Sequence, residues 1–190
     1  MFSRRLSPLL FATFLMIVAS LAYALGIYFL FIGHSYDISQ AYLMSLLVCM
    51  PIGFIALPYL IAKKGHFLSN EPEVQFQLPV LLILFLILWF FNFFFIESRE
   101  FFQQIIIATC EEFLFRYIIY SVLRQGYSKW WSIVFTSLLF GLLLHLNYPF
   151  WDNLLIRTPM GMVFSLMALR WGLPYAIAGH CFYNLIVTIL

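Results

Sequence analysis

Residues 78–96 read LPVLLILFLILWFFNFFFI, an uncharged apolar run long enough to cross a bilayer. A spanning helix needs about 20 predominantly apolar residues. Within hydrocarbon, only helices and closed barrels satisfy every backbone N–H and C=O. The same pattern recurs on both sides. Apolar segments at 6–32, 41–62, 102–124, 130–148, 154–170 and 173–190 are divided by short polar punctuation. The breaks fall at His34-Ser35-Tyr36-Asp37, from Lys63 to Gln77, and at Glu97-Ser98-Arg99-Glu100. Later ones fall at Arg124-Gln125-Gly126, Asp152-Asn153 and Trp171-Gly172-Leu173-Pro174. Pro51 and Pro58 predict a kink in the second segment. The reading is an all-α, polytopic transmembrane helical bundle of about seven spans. Residues 1–100 supply three N-terminal spans, and residues 101–190 a four-span core in the C-terminal half.

Composition agrees. Hydrophobic residues make up 64% of the chain and charged residues 9%, and the mean hydropathy is +0.98. A soluble domain carries about 25% charged residues, so chemistry is expected within the bilayer or at its edge. The basic pairs Arg4-Arg5 and Lys63-Lys64 flank spans, and the net charge of +2 predicts no nucleic-acid partner. Cys49, Cys110 and Cys181 are an odd, scattered set in apolar segments, which predicts neither a disulfide framework nor a zinc motif. The apolar run after Arg5 outlasts a signal-peptide core of about 7–15 residues and is read as an uncleaved first span. Lys and Arg excess marks the cytoplasmic side. With the N-terminus inside, Arg4, Arg5, Lys63, Lys64, Arg124, Lys129 and Arg170 lie inside, against Arg99 and Arg157 outside. An integral protein of a prokaryotic inner membrane, with a cytoplasmic N-terminus, is expected.

Ionisable residues deep in a span cost about 2.5–3.5 kcal/mol each on insertion scales and mark function by default. They gather in three places. Cys110-Glu111-Glu112-Phe113-Leu114-Phe115-Arg116 lies midway along the fourth span. Glu112 and Arg116 share a helix face at i,i+4 and can pair, while Glu111 points about 100° away, free to face a cavity as a general base. His145 stands late in the fifth span, and His180 with Asn184 shares one face of the seventh. An imidazole and an amide pointing together can donate to a developing oxyanion. A bracing ion pair and interhelical hydrogen bonds are the plainer alternatives. Taken together, the groups supply the parts for water-mediated amide hydrolysis. A His-Glu-x-x-His helix and a Gly-x-Ser-Gly element are absent, and neither Asp37 nor Asp152 lies in mid-span.

Glu111-Glu112-x-x-x-Arg116, a histidine span, and His180-x-x-x-Asn184 together resemble the CPBP family, the CAAX-processing and bacteriocin-processing (Abi) intramembrane proteases. The resemblance covers roughly residues 100–190. It implies an intramembrane endopeptidase in which Glu111 activates water, His145 assists, His180 and Asn184 stabilise the oxyanion, and Glu112 and Arg116 support. It implies no cofactor. The older metalloprotease reading would place Zn2+ on Glu111, Glu112, His145 and His180. The expected partners are membrane lipid and a membrane-anchored or peptide substrate. Two other readings stay open at this point: a small proton-coupled transporter, and a non-catalytic immunity or scaffolding protein. One position departs from the family. Its second motif is Phe-x-x-x-His, but here Gly141 occupies that place and Phe140 comes one residue earlier. Either the aromatic partner is dispensable or a π-bulge absorbs the extra residue. Regular spans would also put His145 and His180 at different depths, so tilted helices are expected if the groups share a site.

Overall fold

The computed structural model describes the backbone of residues 2–33, 38–68 and 72–188. The break at 34–37 therefore lies outside the described residues, as does part of the one between Lys63 and Gln77. Among the described residues the fold is entirely helical. Helix α1 spans Phe2–Gly33. Helix α2 covers 38–64 and passes through wide turns at Ser45–Cys49 and Pro51–Ala56, beside the first of its two prolines. Helix α3 is Leu78–Ile96 and α4 covers 101–124. Helix α5 is Lys129–Leu144, α6 covers 150–171 and α7 is Leu173–Val187. The fifth helix stops four residues short of the expected 148, because the chain leaves helical geometry at His145 (φ −103°, ψ 46°).

Three helical segments have the length and apolarity to cross a membrane by themselves: Ser7–Tyr28, Tyr42–Lys64 and Leu78–Ile96. The two apolar helices Lys129–Leu144 and Leu173–Val187 are shorter. Helix α4 forms the centre. Its Leu114, Phe115 and Ile118 pack with Leu15 of α1 and with Leu46 and Phe54 of α2. Its Ala108 and Tyr120 pack in a second core with Leu81 of α3, Phe164 of α6 and Ile177 of α7. The packing thus runs straight across the boundary at residue 100. An element buried on all sides must satisfy its polar side chains internally, and this places the α4 carboxylates inside the protein.

Small residues allow the closest crossings. A Cβ on Gly53 would stand 3.0 Å from the Ala19 carbonyl oxygen of α1. At the α5–α6 crossing, a Cβ on Gly141 would fall onto Thr158 Oγ1 and stand 2.9 Å from the Asn153 carbonyl oxygen. Backbones that approach this closely gain dispersion contact, the main attraction between helices in lipid.

Candidate active site

The carboxylates of Glu111 and Glu112 follow the geometry expected of neighbours on one helix. Glu112 is fully buried. It accepts from Arg116 Nε at 3.0 Å and faces His180 Nδ1 at 2.9 Å. Glu111 turns instead into a cavity of about 330 Å³. Its Oε2 lies 3.8 Å from His180 Nε2, beyond hydrogen-bond range. That oxygen is buried and accepts no hydrogen bond from the protein.

The same cavity is lined by His145, His180 and Asn184. All four candidate catalytic residues therefore share one space, although they come from α4, the end of α5, and α7. Phe140 organises the two imidazoles. Its ring centre lies 5.0 Å from that of His145 and 5.6 Å from that of His180. It also faces the Arg116 guanidinium at 4.9 Å. The one-residue offset from the family motif has a local cause: the backbone takes wide i→i+5 turns over Leu139–Leu144, and a five-residue step then returns to the same face. Phe140 consequently meets His145 as a four-residue spacing would in a regular helix. Phe164 of α6 stacks on the other ring, 4.9 Å from His180 and 15° from parallel.

Hydrogen-bond chemistry assigns the ring hydrogens. His145 Nδ1 is 3.0 Å from the Phe140 carbonyl oxygen. A carbonyl only accepts, so Nδ1 carries hydrogen and Nε2 keeps a lone pair. His180 Nδ1 faces the Arg116-paired carboxylate of Glu112, so it too carries hydrogen. Its Nε2 can donate only when the ring is an imidazolium. Asn184 spends one amide hydrogen on Gln104 Oε1 at 2.9 Å and has a second to give.

Among the described residues, no three His, Cys, Asp or Glu side chains converge with the geometry a metal ion needs. Glu112 is committed to Arg116 and His180, and His145 turns its Nδ1 onto backbone.

Sequence reasoning missed several contributors. Gln104, about two α4 turns before the acidic pair, holds Asn184. Asn153 donates to the His145 carbonyl at 2.7 Å and fixes the turn that carries the imidazole. Arg157, read only as an outer-side charge, lines the cavity. Gln104 and Asn153 fall beside span ends, where polar residues raise no alarm; only the fold shows which way they point.

Residues 101–186, just under half of the chain, match the family model described as Rce1-like, type II CAAX prenyl endopeptidase. No curated protein and no solved structure matches the chain significantly. The matched segment contains Glu111, Glu112, Arg116, His145, His180 and Asn184, that is, every motif residue brought together by the fold. The second half of this integral membrane protein is thus similar to the Rce1-like CAAX endopeptidases, a match that supports an intramembrane endopeptidase in general.

Proposed function

We propose that the protein cleaves a membrane-associated or peptide substrate with a water molecule activated by Glu111, without a metal. The observation that carries this reading is the buried, unpartnered Glu111 Oε2, facing a cavity shared with two imidazoles and an amide. Water bound between Glu111 and His145 Nε2 gives its proton to the Glu111 carboxylate as its oxygen attacks the substrate carbonyl. The oxyanion accepts from His180 Nε2–H and from the second N–H of Asn184. Glu111 then returns the proton to the leaving amine as the C–N bond breaks. Arg116 and Glu112 position the machinery: Arg116 holds the Glu112 carboxylate, and Glu112 in turn orients His180.

The Lys and Arg distribution supports a cytoplasmic N-terminus. Tyr42 near the start of α2, Gln104 near the start of α4 and Thr188 after α7 all line the cavity. In that orientation these ends belong to the outer side, which would make the substrate a segment exposed there.

The test uses purified protein in liposomes and a panel of internally quenched apolar peptides. Glu111→Gln should lower cleavage by about 10²–10⁴-fold, the usual worth of a general base, with an unchanged unfolding midpoint. Chelators should leave the wild-type rate intact. Cleavage that survives Glu111→Gln removes the proposed base, and loss of cleavage under chelation removes the metal-free mechanism.

A further inference from the structure

Arg157 stands in the wall of the active cavity but takes no part in the chemistry above. Its guanidinium carbon lies 3.6 Å from the centre of the Tyr148 ring. Stacking of this kind occupies a face of the planar group and leaves its N–H edge in plane. Among the described residues Arg157 makes no ion pair, whereas the other arginine of this region, Arg116, is held by Glu112. Glu100, another carboxylate on the cavity wall, accepts instead from Gln104 Nε2 at 3.1 Å.

The position of this cation is built. Asn153 donates both to the His145 carbonyl and, at 3.4 Å, to the Tyr148 carbonyl. The turn that sets the catalytic histidine therefore also sets the ring on which Arg157 lies. An edge-free guanidinium in a partly apolar cavity is a fork for a planar carboxylate, which it binds through two parallel N–H···O bonds.

We propose that Arg157 binds a carboxylate of the peptide substrate and thereby determines which peptide bond is presented to Glu111. This rests on the protease reading above. A peptide can supply the carboxylate from its C-terminus or from an aspartate or glutamate side chain, and both would use the same fork.

The test reads binding, with hydrolysis measured separately. A fluorescein-labelled apolar hexapeptide is made in three forms: with a free C-terminal carboxylate, as the C-terminal amide, and as the amide with one internal glutamate. Each is titrated by anisotropy into the detergent-solubilised full chain, both wild type at low temperature and Glu111→Gln. At least one acid-bearing form should bind roughly 10- to 100-fold more tightly than the plain amide, the range expected for a charge-assisted bond. Which acid form binds identifies the source of the carboxylate. Arg157→Gln should abolish the preference, and Arg157→Lys, with charge but no fork, should restore only part of it. Equal binding of all three forms to wild type, or no binding of any, overturns the proposal. So does an equal weakening of all three in Arg157→Gln, which would mean that the stack on Tyr148 is structural only. If the acid preference holds but no peptide is ever hydrolysed, the protease reading fails and the carboxylate site stands.

Discussion

Helices α1–α3 and helices α4–α7 are drawn from similarly apolar sequence, yet among the described residues the buried ionisable groups all lie in the second set. In the first half, the buried polar side chains among the described residues are Ser45 and Asn92. Each is satisfied locally: Ser45 donates to the Tyr42 carbonyl at 2.7 Å, and Asn92 exchanges hydrogen bonds with the Ser98 backbone. In the second half, Thr158 and Ser165 are also bonded locally, but His180 of α7 reaches the Arg116-paired Glu112 of α4. Lipid offers no partner to a polar group. A local bond therefore leaves a helix independent, whereas a partner on another helix ties the bundle together. The candidate active cavity lies in the half where His180 and Glu112 join two helices.

The most damaging change should be the loss of Arg116. Its side chain is 1% exposed and its charge balances Glu112. Removing one partner of a buried ion pair costs about 3–5 kcal/mol, mostly for the charge left behind. Arg116→Ala should lower the detergent unfolding midpoint sharply and abolish cleavage. If Arg116→Ala stays folded and active, the dependence of α4 on its internal partners is refuted. The double variant Glu112→Gln/Arg116→Met, which removes both charges of the pair, should recover stability but not activity.

Gly141 tests the same half through packing. A Cβ there meets Thr158 and the Asn153 carbonyl, in the turn whose Asn153 side chain holds His145. Overpacking of this kind costs about 1–3 kcal/mol. Gly141→Ala should destabilise by that amount and reduce turnover more than substrate binding, because it moves a catalytic ring. Gly53→Ala, at the α1–α2 crossing 3.0 Å from the Ala19 carbonyl, should destabilise comparably while sparing the turnover of the folded fraction.

These contrasts also explain what could be read from the chain. The helical segments were legible because hydropathy is a property of each segment alone, and so were the two faces of Glu111 and Glu112, because helical rotation fixes them. The meeting of His145 with His180 was not. Spacing along regular helices set them at different depths, and the wide turns at Leu139–Leu144 and the early end of α5 are backbone choices with no clear mark in the side chains. The role of Phe140 was half legible: the offset from the motif left either a dispensable aromatic or a π-bulge, and the structure has wide turns over Leu139–Leu144. Gln104 and Arg157 depend wholly on which helices become neighbours, which hydropathy does not encode.

A smaller effect should come from the tie between the two halves. Glu73, in the connection between α2 and α3, accepts from Tyr120 Oη at 2.8 Å and from Arg124 Nε at 2.6 Å, both on α4. Partial burial works against its charge, but these two bonds and the Arg124 charge outweigh it and hold the carboxyl below its ordinary value. A carboxylate whose folded value is depressed stabilises above its unfolded value of about 4.3 and loses that contribution as pH falls through the folded value. Both partners of the ion pair are about a third exposed or more, at 31% and 40%, so screening limits it to about 0–1 kcal/mol. Glu73→Gln should therefore lower the unfolding midpoint slightly at pH 7, and the gap to wild type should close below about pH 4. A gap that persists in acid would assign the effect to packing and not to charge.

The smallest effect should come from the outward face of α3. Leu86 is 67% exposed and Phe95 is 70% exposed, and α3 belongs to the half that lacks the catalytic groups. In water, such residues would be driven inward. In a bilayer the surrounding chains are as apolar as the side chains, so truncation removes little that lipid does not replace. Leu86→Ala with Phe95→Leu should shift the unfolding midpoint by no more than a change of about 0.5 kcal/mol and leave peptide cleavage at the wild-type rate. A loss of cleavage with stability intact would give α3 a part in admitting substrate, and the division between a lipid-facing half and a catalytic half would no longer hold.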